Sequence, residues 1–394
     1  MLLQTIITIG ASQVLTLSFL IWLKKKREQA DYLLSLELLL MFLVIILYNY
    51  HDELHFFSPI LTFASFYIAY LVLPIFYLYI KSASTGYVNF SRWKNWISFV
   101  PFLVVMCLFG FNFIIHDRAV QEILTTQIMG DVYPLWYKIV YYGMFFGVFP
   151  YYLLASFRLL QRHENYILTK FSYKEDVSLA WLNRFLWGEG LVWVAFLIFE
   201  VLAHNFFQIV GEGLGFQAAF IILIACMIYL GIYGLRFQGV FMDREVERTL
   251  VSLEEKEETT KYQSSSLSVN KAKEYEERLQ NFMIAEKPYL ESKITIAELA
   301  QRMNIPVNHL SQVVNEQFNQ NFFDFINNYR VKAFQQLVQE RDVQQYTLLA
   351  LAYEAGFNSK SSFNAIFKKI AGMTPSEYVK SLRQLQKTKM RTNP

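Results

Sequence analysis

The sequence is poor in the residues that most active-site chemistry needs. It has two cysteines in 394 residues, Cys107 and Cys226. Both lie in apolar runs and form no CxxC pair, which excludes a disulfide framework and leaves them as small hydrophobes. Charge is scarce, with 18% Asp, Glu, Lys and Arg against about 25% in an ordinary soluble domain. The six histidines contain no HExxH. The nearest arrangement, His51-Asp-Glu-Leu-His55, keeps the i,i+4 spacing but falls in a short loop, so a solvated polar stretch is the better reading than a metal site. No glycine-rich phosphate loop and no catalytic constellation is present. The expectation is therefore no enzyme, no metal and no cofactor.

What the chain has in excess is apolar surface. It is 54% hydrophobic and 17% aromatic, with 36 Phe and 25 Tyr. Apolar runs recur at 2–23, 33–50, 59–80, 96–115, 136–160, 185–204 and 214–235. A helix needs about 20 residues to cross the hydrocarbon core of a bilayer, so these runs predict seven transmembrane helices. Trp22, Trp93, Trp96, Trp136 and Trp181 sit at run ends, where aromatic side chains anchor at the interface, and Pro74, Pro101 and Pro150 are placed to kink the helices.

Lysine and arginine in the connecting segments set the orientation. With the N-terminus outside, the inner segments hold Lys24, Lys25, Lys26, Arg27, Lys81, Arg92, Lys94, Arg158, Arg162, Lys170, Lys174 and Arg184. The outer ones hold Arg118, with Lys138 near a helix edge. The expected place is the bacterial cytoplasmic membrane, multi-pass, with the C-terminal region in the cytoplasm. Four basic residues directly follow the first run and none precedes it, which suits an uncleaved helix rather than a signal peptide. Glu37, Glu189, Glu200 and His204 are ionisable residues within these runs. Ionisable groups at membrane depth are candidates for function, but Glu189 and His204 lie near helix ends where they can reach water, and Glu37 and Glu200 alone define no chemistry. Sensing of a small molecule or a ligand from outside between the helices is open, and no residue names the ligand.

The predicted organisation is a membrane domain at 1–235, a helical linker at 236–286 and a second domain at 287–394. The linker opens with Phe241, Val246, Leu250 and Leu253 at helical spacing, followed by an acidic run and a serine-rich stretch. That first stripe suits either pairing with a second copy, giving a homodimer, or a solvated spacer. A short helix with Tyr275, Leu279, Phe282 and Met283 on one side follows.

Beyond Pro288 the helical code sharpens. Thr295-Ile-Ala-Glu298 is a capping box, and Ile296, Leu299, Ala300 and Met303 form one apolar stripe. Pro306 breaks the helix, and a second one follows with Leu310, Val313 and Val314 inside. This is a helix-turn-helix. After a longer helix at 322–339, the motif repeats. Leu348, Leu351 and Ala352 lie on its first helix, Gly356 makes its turn, Ser359 is placed to cap its second helix, and Phe363, Ile366, Phe367 and Ile370 are its apolar face. Gly372 ends that helix, and Thr374-Pro-Ser-Glu377 starts a last one. From Ser359 onward there are eight basic residues and one acid, Glu377, a charge balance that suits nucleic acid.

These residues resemble the AraC/XylS family of bacterial regulators. The frame is Ala352-Tyr-Glu-Ala-Gly-Phe357, Phe363, Phe367-Lys-Lys369, Gly372-Met-Thr-Pro375 and Tyr378. Ile296-Ala-Glu-Leu-Ala300, His309-Leu-Ser311 and Asn328-Tyr-Arg330 match the family's earlier half. The whole layout, with Lys261-Tyr-Gln in the linker, is similar to a membrane-anchored subgroup in Bacteroidetes-type bacteria. The resemblance implies a double-stranded DNA partner and two recognition helices held apart by the long central helix. It places Asn308, Ser311 and Gln312 of the first, and Lys360, Ser361, Asn364 and Ala365 of the second, toward the bases, with Lys368 and Lys369 on phosphates. The chain departs from the family pattern at Gln312 and Ala365, where many members carry Arg, and at Ile305, where a capping Ser is usual.

The sequence thus predicts an all-α chain, a seven-transmembrane-helix bundle followed by a cytoplasmic double helix-turn-helix domain. Its expected function is a membrane-embedded, sequence-specific transcription regulator in contact with the lipid bilayer. The alternative is a transporter or receptor whose tail is mainly a protein-interaction module.

Overall fold

Apolar stripes at helical spacing, opened by capping residues and closed by left-handed ones, make the chain all-helical among the described residues. The computed structural model describes residues 2–51, 53–54, 59–107, 135–175, 177–206, 213–236, 267–341 and 345–392. Arg118, part of the His51–His55 stretch, the apolar stripe at 241–253 and Lys261-Tyr-Gln lie outside them. The chain divides into two compact units. One comprises Met1–His163 and Leu179–Arg244, the other Glu164–Ser178 and Glu245–Pro394.

The first unit contains α1 (Leu2–Trp22), α2 (Gln29–Asn49), α3 (Pro59–Thr85), the short α4 (Trp93–Trp96) and α5 (Val100–Val105) joined by a 3-10 turn, α6 (Leu135–Lys170) up to His163, α7 (Ala180–Phe206) and α8 (Gly213–Arg236). In α1 the buried positions are Ile7, Ala11, Val14, Ser18 and Ile21, a stripe with steps of three and four residues. They meet Leu34, Leu38 and Ile45 of α2 and Ile224 and Leu230 of α8 in one core. Gly234 lets α8 approach closely, since a Cβ there would lie 2.2 Å from Leu34 Cδ2. Ser18 Oγ donates to the Ser35 carbonyl at 2.7 Å, and Ser35 Oγ returns the bond to the Ser18 carbonyl at 3.0 Å.

The other face of α1 exposes Leu2, Ile9, Phe19 and Trp22. Apolar surface of that extent needs a lipid or protein covering rather than water. Among the described residues, Leu2–Trp22, Gln29–Asn49 and Tyr67–Thr85 are long and apolar enough to cross a membrane, and Phe220–Arg236 is a shorter apolar stretch. Glu37 is buried in α2, and its Oε2 has no hydrogen-bond partner among the described residues.

The second unit contains α9 (Val269–Ala285), a 3-10 turn at Pro288–Leu290, α10 (Ile296–Met303), α11 (Val307–Glu316), α12 (Phe322–Glu340), α13 (Leu348–Glu354), α14 (Lys360–Ala371) and α15 (Pro375–Thr392). It has two cores, and α12 belongs to both. Phe322, Phe325 and Ile326 join Leu299, Leu310, Val313 and Val314 in the first. Phe323, Val331, Phe334 and Val338 join Leu351, Phe357, Phe363 and Phe367 in the second. Burying one such phenylalanine contributes about 2–3 kcal/mol, so the aromatic cluster of Phe334, Phe363 and Phe367 is the main fastening of the second core. Tyr275, Leu279 and Met283 of α9, which the sequence places in the linker, are buried in the first core.

Candidate nucleic-acid interface

Each half of the interface is a helix-turn-helix set by local chemistry. In α10 the Glu298 amide donates to Thr295 Oγ1 at 3.2 Å, and the Thr295 amide donates to Glu298 Oε2 at 2.8 Å, closing the expected capping box. Asn304 ends the helix in the left-handed region at φ 52°. The N-cap of α11 is Pro306, with no side-chain cap bond. Ile305, where the capping Ser is usual, is buried in the first core instead.

The buried side of α11 is Leu310, Val313 and Val314. Asn308 is exposed, and Ser311 and Gln312 are half-buried. Asn308 Oδ1 accepts from the His309 amide at 2.9 Å, and Gln312 Nε2 donates to both Glu316 carboxylate oxygens at 3.1 and 3.0 Å. The helix carries no lysine or arginine.

The second motif is built more tightly. Thr347 caps α13 by accepting from the Ala350 amide at 3.1 Å. Gly356 has φ 92°, and a Cβ there would lie 2.2 Å from the Tyr289 carbonyl oxygen and 2.9 Å from Leu290 Cα. Only glycine fits that close approach, which seats the turn of the second motif against the backbone of the first core. Ser359 Oγ accepts from the Ser362 amide at 3.1 Å and caps α14. Phe363, Ile366 and Phe367 are buried, while Lys360, Ser361, Asn364, Ala365, Lys368 and Lys369 form the exposed face. Lys369 Nζ donates to Asp324 Oδ1 of α12 at 2.7 Å. The last turn ends at Gly372, φ 74°. At the start of α15 hydrogen bonds from the backbone and side chain of Thr374 hold the Glu377 carboxyl below its ordinary pKa.

Sequence reasoning missed the residues that join the two motifs. Arg330 of α12 is 2% exposed. Its Nε donates to the Tyr289 carbonyl at 2.8 Å, and its Nη2 donates to the Glu291 carbonyl at 2.8 Å. Its Nη1 donates at 2.8 Å to the carbonyl of Ser172, far away in sequence. Burial pushes the guanidinium pKa down to about 10, partly countered by the nearby Glu175 carboxylate, so it stays charged at neutral pH.

Ser172 belongs to a strap, Glu164–Ser178, that lies in this same unit. The Ser172 carbonyl also accepts from Asn327 Nδ2 at 3.2 Å, and its Oγ donates to the Ile294 carbonyl at 2.7 Å. Further along, Glu175 Oε1 accepts from Ser359 Oγ at 2.8 Å. Burial raises the Glu175 carboxyl pKa, but hydrogen bonds from Ser359, Ser362 and backbone amides outweigh it and hold it below the ordinary value. Nothing in the composition of 164–178 marks these roles, because the partners lie more than 120 residues away.

Residues 299–381 match the family described as Helix-turn-helix domain. The match runs from within α10 through α14 into α15 and so spans both motifs. No curated protein and no solved structure matches the chain. The matched domain is an AraC-type helix-turn-helix. It supports a DNA-binding transcription regulator of the AraC/XylS type, with DNA as partner. Among the described residues no group of His, Cys, Asp and Glu is placed to hold a metal ion.

Proposed function

We propose that the chain is a membrane-embedded, sequence-specific transcription regulator. The observation that carries this is the pair of helix-turn-helix motifs on one central helix, each with a polar face turned outward. In this reading α11 and α14 enter successive major grooves, about 34 Å apart on one side of the duplex. Asn308, Ser311 and Gln312, and Lys360, Ser361 and Asn364, read base edges, Asn and Gln favouring adenine and Lys favouring guanine. Ala365 offers only an apolar contact. Lys368 and Lys369 take phosphates, and Lys369 exchanges Asp324 for the DNA backbone, a small cost for an exposed pair.

The seven apolar runs form a bundle across the bacterial cytoplasmic membrane, N-terminus outside. This is supported by the lengths of α1, α2 and 67–85 of α3 and by the basic residues of the inner segments. A signal reaching the bundle, from a small molecule or a ligand outside the cell, changes DNA occupancy, and a second copy engages a repeated site. The test is recovery of bound genomic DNA from cells carrying the full chain, together with anisotropy titrations in lipid nanodiscs. Enrichment of a repeated sequence is expected, with log Kd rising linearly with log salt. Binding with neither sequence preference nor salt dependence would falsify the reading.

A further inference from the structure

The strap Glu164–Ser178 is bound as a ligand peptide is bound, not merely laid down as a connecting turn. It pairs by backbone, with Phe171 bridged antiparallel to Thr295 and the Ser172 amide donating to the Ile294 carbonyl at 3.3 Å. Two buried side chains of α12, Arg330 and Asn327, both donate to one of its carbonyls, that of Ser172. Leu168 packs on the second core, and Lys174 Nζ sits 5.0 Å from the Phe323 ring centroid. The site it fills lies between the two helix-turn-helix motifs.

The far end of the strap reaches the recognition surface. Ser359, which caps α14, donates its hydroxyl to the Glu175 carboxylate. A helix N-terminus, with its free amides and positive dipole end, is where an anion binds, and backbone amides at such ends are among the groups that position proteins on phosphates. Glu175 brings the charge and acceptor oxygens of a phosphate to that place.

We propose that the strap is a built-in competitor of DNA: docked between the motifs, it covers the N-terminal end of α14 with Glu175, and DNA binding requires that end to be vacated. The proposal rests on the reading that α14 faces the duplex. Because the competitor is part of the same chain, its effective concentration is in the millimolar range, and a modest contact is enough to compete. The strap comprises the last turns of α6 (164–170) and the link from it to α7. Any displacement of those two helices acts on it directly, which gives a signal in the apolar helices a route to the recognition surface.

The test uses the full chain in lipid nanodiscs, with Cys107→Ala and Cys226→Ala and a new pair, Phe171→Cys with Thr295→Cys. Bridged antiparallel residues have Cα atoms about 4.5–5.5 Å apart, within the span a disulfide closes. Binding is read by anisotropy of a fluorescein-labelled mixed-sequence duplex at low salt, with each single-cysteine variant as control. The oxidised pair is expected to bind about tenfold more weakly than the reduced pair, and Glu175→Gln to bind about three- to tenfold more tightly than the parent. Failure of the disulfide to form overturns the docking. Equal affinity of the oxidised and reduced forms, with no effect of Glu175→Gln, overturns the competition. If the disulfide forms and no variant binds duplex, the DNA reading fails and the competition with it, while the docking stands.

Discussion

Where α11 presents Asn308, Ser311 and Gln312 and no lysine or arginine, α14 presents Lys360, Lys368 and Lys369 beside Asn364. The two motifs also differ in how they are held. The first leans on α9 and starts its second helix, α11, without a side-chain cap. The second is capped by Ser359 and wedged by Gly356 against the backbone of Tyr289. In the reading proposed above the two helices divide the work of binding. Lys368 and Lys369 of α14 supply the sequence-independent attraction to phosphate, and the amides of α11, with Lys360 and Asn364 of α14, discriminate between bases.

The sharpest way to break this comparison is at the wedge. Gly356→Ala puts a Cβ on the Tyr289 carbonyl and forces a side chain into a left-handed conformation. The expected loss is about 3 kcal/mol or more, read as faster hydrogen exchange in α13 and α14 than in α10. A loss below about 1 kcal/mol would mean the motifs are not seated on each other there. Arg330→Met should follow closely, at about 3 kcal/mol, because it strips donors from the Tyr289, Glu291 and Ser172 carbonyls. Its exchange signature should appear in both motifs and the strap, and one confined to α12 would argue against the joining role.

Next comes the division of labour itself. Lys368→Ala with Lys369→Ala should lower the salt slope of duplex binding by about 0.9 for each phosphate no longer neutralised. Asn308→Ala with Gln312→Ala should leave that slope intact and cost about 1–3 kcal/mol of preference per base no longer read. The reverse pattern would interchange the roles of α11 and α14. Ser359→Ala should cost about 1 kcal/mol of thermal stability through the missing cap. Lys369→Ala should change stability by less than about 0.5 kcal/mol, because its ion pair with Asp324 lies at the surface; a drop of several degrees in Tm would make that pair structural.

The features legible in the sequence are the local ones. The Thr295–Glu298 box, the Ser359 cap and the turns at Gly356 and Gly372 are all fixed by residues within four positions of each other, whereas the Thr347 cap, equally local, is seen in the structure alone. The apolar stripes of α10, α11 and α14 likewise name their own buried faces. What a stripe cannot name is its partner. Tyr275, Leu279 and Met283 suit a linker helix by sequence, and only tertiary packing puts them in the first core. Arg330 falls in the Asn328-Tyr-Arg330 match, but its joining role is not legible there, because its acceptors are carbonyls of segments distant in sequence. Lys369 has the pattern of a solvated cation, yet it meets Asp324, which is 45 residues away. Ile305 stands where a cap is expected, and packing supplies the reason: the position contributes to the core.

The strap gives the C-terminal unit a second covalent attachment to the apolar helices, through 164–178, besides the one through 237–266. A protease that cut only the first would leave a fragment beginning near α9 still clasped, through Arg330 and Asn327, to a peptide that the cut had not touched. If the apolar helices span a membrane as proposed, release from it would then be a matter of dissociation rather than of cleavage, and severing the tether would not by itself set the C-terminal unit free.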